Sequence, residues 1–530
     1  MDRRPRARSL ALVSALAFAL VSTGCAAPPP SNPQASVSPV AVTSPTQPVA
    51  LARVPTTPIA AAGDVLVPLV PVVRFWSTAR SISRATLATA LAGTGPAPRP
   101  VYVTAEDLAS LSAFLGVTPG ANVAILTASQ IRERVATTPG TIGLLRPDEV
   151  TLRVRALAVD GVQLFGTSRI HALGAWPLLV PEPAGTRPSA FDPASTWTLV
   201  AGGDVNLERS VYRRAVLDGK GPDYPWNGGL AHVTSRYCCG WPGLLIMRAA
   251  TIDGTRPAAR RMLVAADLAV ANLEGPAPDD FTWHPDGLTF SMDPSLLVGL
   301  DRAGFDVVSL ANNHIRNAGG SGVMDTIRHL DELGIGHAGA GADLARARRP
   351  AWRTIAGVRV AILGFNGVGT AANAKGTRAG AAPLDTRIMT ADIRAARIAG
   401  ADVVVVMPHW GVEYTDGTTA RQRTQAQAAI DAGADLVLGN HSHWAGPVAL
   451  RSGRFVAWSM GDLLFDLNHD ERTQEAMLVE VTFAGRRAVQ VNLVPTVVVD
   501  RSQLNLLAPA GGSSRLLRQI AAASTGFGAP

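Results

Sequence analysis

The chain has 530 residues, 47% of them hydrophobic, enough apolar material for a buried core, which excludes disorder throughout. Gly 51 and Pro 38 are close to ordinary usage, so collagen-like and low-complexity classes are excluded, and three cysteines are too few for a disulfide scaffold. The formal charge of +7 falls to +4 without the first 24 residues, which hold four Arg and one Asp; that is too mild to point to nucleic acid.

The N-terminus reads as an address. Arg3, Arg4, Arg6 and Arg8 form a cationic start, and Ser9 to Ser22 is an apolar stretch of signal-peptide length. It is too short, and too soon followed by Pro28-Pro29-Pro30, to span a membrane comfortably. The segment Ser22-Thr23-Gly24-Cys25 resembles a bacterial lipobox, with Ser22 where such boxes usually carry Leu. The resemblance implies a signal peptide over residues 1–24, lipidation of Cys25, and export to the extracytoplasmic face of the cell membrane. Residues 25–62, rich in Pro, Ser, Thr and Ala, read as a tether. No later segment offers 18 uninterrupted apolar residues, so the mature chain is expected to be anchored or soluble rather than membrane-spanning.

Residues 63–184 read as a small α/β module. Val65–Phe75 is strand-like, Ala105–Leu115 and Ser129–Thr137 are helical in pattern, and Pro139-Gly140 marks a turn before the strand-like Thr141–Leu145. The stretch from Pro139 to Gly161 loosely resembles one lobe of a periplasmic solute-binding domain; no His, Cys or carboxylate cluster falls within it. A Pro-rich break follows at Pro181–Pro193.

From Thr196 to about Asp500 one pattern repeats: an apolar run of strand length ends abruptly in polar residues and is followed by a helix-period segment. Trp197–Ala201 leads to Asp204, Leu268–Ala271 to Asn272-Leu273-Glu274, Val307–Ala311 to Asn312-Asn313-His314, Val403–Met407 to His409, and Leu436–Leu438 to Asn440-His441-Ser442-His443. Helical patterns lie at Pro294–Ala303, Ser321–Leu333, Thr390–Ala399 and Thr419–Ala432. Alternating strands and helices imply a largely parallel, layered sheet, and ligands of such sheets bind beyond the carboxyl ends of the strands. Singly, each cluster has an ordinary explanation, such as a turn aspartate, a helix cap or a buried histidine. His441 and His443 are harder to dismiss, because alternate residues of an extended segment point the same way. Five coincidences at five strand ends are less economical than one shared site.

The set offers one Asp, one Glu, an Asn amide oxygen, three imidazoles and no thiolate, chemistry that suits Mn, Fe or Zn. Six ligands exceed what one tetrahedral ion takes and fit a pair of ions with one bridging carboxylate.

With Asn272-Leu273-Glu274-Gly275, Leu310-Ala311-Asn312-Asn313-His314, His409-Trp410-Gly411-Val412-Glu413-Tyr414 and Gly439-Asn440-His441-Ser442-His443, the chain resembles the CapA family of capsule and poly-γ-glutamate synthesis proteins. That family looks like a branch of the calcineurin-like metallophosphoesterases. The resemblance covers about Thr196 to Asp500, leaving 501–530 as a C-terminal tail, and implies a four-layer α/β/β/α sandwich. It places metal ligands at Asp204, Glu274 (bridging), Asn313, His409, His441 and His443, and a leaving-group acid at His314. Departures stand beside it. The superfamily's common Asp-x-His start reads Asp204-Val205-Asn206, Asn440 stands where many relatives have His, and Gly461-Asp462-Leu463 adds a carboxylate of unassigned role. Cys238-Cys239 lies between Trp226 and Trp241; a vicinal disulfide, free thiols and pairing between molecules all remain open.

Three functions fit these residues. One is a metal-dependent hydrolase of a phosphoester or polymer amide, in cell-surface polymer biosynthesis. Another is a non-catalytic component holding an anionic polymer near the capsule synthesis machinery, helped by arginines such as Arg346–Arg349. The third is a solute-binding or sensor role for the N-terminal module.

Overall fold

The computed structural model describes residues 65–528 except 96, 184, 188 and 239–245, with side chains left undescribed over 236–249. The signal-peptide and lipobox reading, Cys25, the tether and Cys239 lie outside the described residues. Cys238 ends the strand Leu230–Cys238, its side chain also outside them.

Two sheets carry the region that the sequence singled out. In the first, Thr196–Val205, Leu268–Leu273, Val307–Ser309 and Gly336–Ala338 run parallel. Its other half turns antiparallel through Glu475–Ala484, Arg487–Val499 and Gln503–Leu507. The second sheet has Val358–Asn366, Val403–His409, Leu436–Leu438 and Arg454–Ala457 in parallel, with Ala351–Ile355 and Val448–Arg451 on its edges. The period-2 alternation of a strand sends successive side chains to opposite faces. Leu199, Val270 and Val307 therefore meet Ile362, Val405 and Leu438 in a core between the sheets. Val200, Ala269 and Val308 face Leu263, Leu300 and Leu330 of the helices Ala258–Val264, Leu297–Arg302 and Gly319–Glu332. Ala361, Val404 and Val406 face Met389, Ile393 and Ala429 of the helices Thr386–Ile398 and Ala420–Ala432. Helix, sheet, sheet, helix: the layers are those of a four-layer α/β/β/α sandwich. Sheets covered on both faces explain why the strands read as unbroken apolar runs.

Local signals set the helix ends. Thr419 and Gln422 form a capping box, and Gly433 closes the same helix in the left-handed region at φ 115°. The helix read from the sequence as Thr390–Ala399 starts at Thr386, because Asp385 caps it by accepting from the N–H groups of Arg387 and Ile388.

The N-terminal segment builds its own five-stranded sheet from Val70–Arg74, Val101–Val103, Val123–Ile125, Ile142–Leu145 and Val154–Ala156. Its apolar core extends onto Val489 of the first large sheet. Ala156 N–H donates to Gln490 Oε1 at 2.8 Å, and Gly166 N–H to Thr482 Oγ1 at 2.9 Å. The described residues from Val65 onward belong to one compact unit. Residues 501–530, taken from the sequence as a tail, hold the sheet strand Gln503–Leu507 and the helix Ser514–Ala523, whose Leu516 and Ile520 enter the inter-sheet core. Polar Gln503 and Asn505 break the apolar run that would have marked this strand.

Among the described residues, no helix is long and apolar enough to cross a membrane. The Arg346–Arg349 run is partly neutralised, since Arg346 pairs with Asp343 and Arg348 with Asp392 at 2.6 Å.

Candidate metal centre

The polar strand ends of both sheets converge. Asp204, one residue from the end of Thr196–Val205, is fully buried. It sits there because two glycines let backbones approach: a Cβ on Gly203 would fall 1.8 Å from the Gly461 carbonyl oxygen, and Asp204 N–H donates to that oxygen at 3.0 Å. The same approach pairs Asp204 with Asp462, first residue of the short strand Asp462–Leu464. Glu274 directly follows Leu268–Leu273, and its N–H donates to the Val205 carbonyl at 2.8 Å. Asn272 donates its amide to Asp204 Oδ1 at 2.7 Å, fixing that carboxylate from the neighbouring strand.

The second sheet supplies the imidazoles. His409 ends its strand; its Nε2 lies 2.8 Å from Asn313 Oδ1 and 3.4 Å from Glu274 Oε1. His441 and His443 follow Leu436–Leu438 in a bend, with φ of 95° and 59°. The extended segment expected from the sequence is therefore not what aims them. Left-handed backbone at both positions, rare for side-chain-bearing residues, turns the chain and leaves the ring centroids 6.0 Å apart. His441 N–H is tied to Asp204 Oδ2 at 3.0 Å, which holds the turn against the first sheet. His443 Nδ1 lies 2.8 Å from Asp462 Oδ1.

Three groups of possible ligand atoms each lie within 4.8 Å: Glu274, His409 and His441; Asp204, Glu274 and His443; Glu413, His441 and His443. Glu274 belongs to two of them. Burial, with the Glu274 charge added, pushes Asp204 up to about 7; burial likewise pushes Glu274 to about 7. Burial pushes His409 down to about 4, and burial with the neighbouring imidazoles pushes His441 to about 2. His443 goes the other way: burial disfavours its charge, but Asp462, Glu274 and Asp204 outweigh this and raise it to about 10.

These groups fit a divalent cation. Both Glu274 oxygens, Asp462 Oδ2 and His441 Nδ1 are buried without a hydrogen-bond partner. Such atoms are costly unless something pairs with them. Carboxylates and imidazoles are the ligands that Mn, Fe and Zn take. Asn313 places its amide oxygen against His409, so it stands with the cluster.

His314 lies beside the cluster. Its N–H is held by Asn312 Oδ1 at 3.1 Å, and its ring packs on Phe290 at 4.2 Å between centroids. Burial, then the charges of His409 and His443, push it down to about 3. Three contributors were not assigned from the sequence. Asp462 orients His443. Glu413 stands at the exposed edge of the third group, and Asn272 links Asp204 to the imidazole side, its Nδ2 lying 3.4 Å from His409 Nδ1. Asn206, at the position where the sequence resemblance would lead one to expect a histidine, donates to the Glu274 carbonyl at 2.9 Å and accepts from the N–H of Glu208 at 3.0 Å, acting as scaffold.

A family model described as bacterial capsule synthesis protein PGA_cap matches residues 198–467, a span that includes every residue of the cluster. The chain is 36% identical over 178 residues to the PGA biosynthesis protein CapA of Bacillus subtilis, covering 33% of this chain and 46% of that protein. It is 32% identical over 204 residues to the capsule biosynthesis protein CapA of Bacillus anthracis, covering 38% and 49%. The chain thus spans about half the length of these curated relatives. Among solved structures, it is similar to the calcineurin-like phosphoesterase YfkN of Bacillus subtilis at 13% identity and a TM-score of 0.30, covering 62% of this chain and 97% of that one.

Proposed function

We propose, on the premise that the chain belongs to the bacterial capsule synthesis protein family, that it is a metal-dependent hydrolase acting in capsule or poly-γ-glutamate-type polymer biosynthesis. Asp204, Glu274, Asn313, His409, His441 and His443 would hold two divalent ions. The observation that carries the proposal is Glu274: a buried carboxylate with neither oxygen hydrogen-bonded and a place in two ligand groups. A bound pair of ions lowers the pKa of water and stabilises charge on the attacking and leaving oxygens.

The chain's own residues prepare that chemistry. Asn272 and the His441 N–H fix the two oxygens of Asp204. Asp462 fixes the ring of His443 through Nδ1 and raises its basicity, the usual service of a carboxylate behind a ligating histidine. Burial lowers the proton affinity of His314, so it would serve as a neutral ring that gives the leaving oxygen a hydrogen bond, with the proton for that oxygen coming from water rather than from the ring. Strand packing buries Asp204, Glu274, His409, His441 and His443, which holds their side chains in place.

The reading also takes the chain to be exported and lipid-anchored through Cys25, beside the machinery that makes an anionic surface polymer. Mass spectrometry of the native N-terminus tests the anchor; an unmodified Cys25 refutes it.

The activity is tested by turnover of phosphoester and γ-glutamyl substrates with added Mn²⁺, comparing wild type with His314→Ala. Metal content is compared with the His441→Ala/His443→Ala double variant. Turnover reduced by His314→Ala, with metal lost only in the double variant, supports the hydrolase. Wild-type protein that turns nothing over yet binds polyglutamate is a polymer-holding component instead.

A further inference from the structure

Arg209 lies five residues beyond Asp204, with a left-handed backbone at φ 52°. Side chains rarely adopt that conformation, and where they do the surroundings must enforce it. Here they do so from both sides. Glu208, fully buried, accepts the N–H groups of Ser291 at 2.9 Å and His284 at 3.2 Å, and His284 Nδ1 at 2.9 Å. On the other side Ser210 N–H donates to Asp466 Oδ2 at 2.8 Å, and Arg501 bonds both that carboxylate and Ser210 Oγ, each at 2.8 Å. The turn at 208–210 is thereby locked to the loop that carries Phe290.

The Arg209 guanidinium lies 4.8 Å over the Phe290 ring, which also packs on the His314 ring at 4.2 Å and on the Phe465 ring at 5.3 Å. One Nη2 donates to the Gly287 carbonyl, and Nε is buried without a partner. Nearby arginines are neutralised: Arg214 pairs with Asp218 at 2.9 Å and Asp500 at 2.7 Å, and Arg501 with Asp466 at 2.5 Å. Among the described residues, Arg209 is in no ion pair. A rigidly held, uncompensated guanidinium one aromatic ring from the candidate leaving-group donor is a receptor for a carboxylate or phosphate.

We infer that Arg209 receives an anionic group of the substrate, carboxylate or phosphate, beside the scissile bond. This rests on the hydrolase reading for the bond that is cut, but not for the binding of the anion.

The test uses the full chain with Mn²⁺ and two phosphoester substrates, identical except that one carries a carboxylate next to the ester and the other the neutral amide. Arg209→Met keeps an apolar stem on Phe290 and removes the charge; Arg209→Lys keeps the charge and loses the fork. In Arg209→Met the preference for the carboxylate substrate falls at least tenfold, through KM rather than kcat, with metal content as in wild type. Arg209→Lys lies between. Separately, calorimetry with a glutamate oligomer and with inorganic polyphosphate shows at least tenfold weaker binding to Arg209→Met for one of them, identifying carboxylate or phosphate as the natural anion. Unchanged preference and unchanged binding of both probes overturn the inference, as does an Arg209→Met variant that loses its metal, which would make Arg209 a structural prop. If wild type turns over neither ester, the hydrolase reading fails and the binding measurement alone decides Arg209.

Discussion

The two sheets bring opposite chemistry to one seam. The first contributes acids and amides, Asp204, Glu274, Asp462, Asn272 and Asn313, while the second contributes His409, His441 and His443. Neither half is a metal site alone. Burial without a cation pushes the acids up and His409 and His441 down, so each half tends toward neutrality. Only His443, caught by Asp462 across the seam, is driven toward its charged form. The difference teaches that the sandwich creates the site by packing, and that binding energy and fold stability meet where the sheets meet.

Removing the acid shared between groups breaks the comparison most severely. Glu274→Gln keeps shape and removes the buried charge. Bound metal is expected to fall to background by elemental analysis. Without metal, the variant is expected to be more stable than wild type by about 1–3 kcal/mol in denaturant titration, because a carboxylate with neither oxygen hydrogen-bonded is gone. With metal at a thousandfold its Kd the order reverses, since binding then adds about 4.1 kcal/mol to wild type alone. A variant less stable than wild type in both states would show Glu274 to be structural.

Gly203→Ala attacks the close approach that seats Asp204 beside Asp462. A Cβ placed 1.8 Å from the Gly461 carbonyl oxygen cannot be accommodated by a side-chain rotation, because its neighbour is backbone. The expected cost is about 1–3 kcal/mol or more of stability, with weakened metal binding. Thermal melts with and without Mn²⁺ check it; an unaltered melt would mean that the two strands part freely. Gly219→Ala, with no atom within 4 Å of the added Cβ, measures the plain cost of a left-handed backbone for comparison.

What the sequence disclosed divides along the same line. The strand-end clusters were legible because doubly covered parallel strands read as apolar runs that stop at the site. The pairing of His441 with His443 was legible too, but its geometry was not: spacing of two suggests extended chain, whereas bonds from His441 to Asp204 and between His443 and Asp462 hold the pair in left-handed turns. Asp462 had no visible role because its partner lies 19 residues back and is reached only through the strand pairing beside Asp204. Glu413 looked like any exposed acid, and Arg209 like one arginine among many, until the loop bearing Phe290 was placed against it. Gln503–Leu507 escaped notice because its polar residues mask a strand that is defined by pairing rather than by pattern.

Asp462→Asn sharpens the comparison by cutting the shortest contact that carries an acid to an imidazole across the seam, at 2.8 Å. His443 loses its orienting acceptor and the charge that holds its proton. Metal affinity is expected to fall about 10–100-fold while ligand count is kept, as for other carboxylates behind ligating histidines. Competition titration with a chelating dye reads this directly, and a fall as deep as that of Glu274→Gln would make Asp462 a ligand in its own right.

The smallest effect is on pH. A cation takes deprotonated ligands, so binding must expel any proton that the metal-free site holds. Asp204 and Glu274, raised to about 7, are largely protonated at pH 6 and largely ionised by pH 8, while His443, raised to about 10, carries its proton throughout. Affinity for Mn²⁺ should therefore rise with pH across this window, by about tenfold per unit for each proton released. Histidines pushed down to about 4 and about 2 are already neutral there and add nothing to the slope. In Asp462→Asn the proton on His443 is no longer held by a carboxylate, so the slope should flatten toward that of Asp204 and Glu274 alone. Equal slopes in the two proteins would place His443 outside the coordinating set, leaving the imidazole half of the site to His409 and His441.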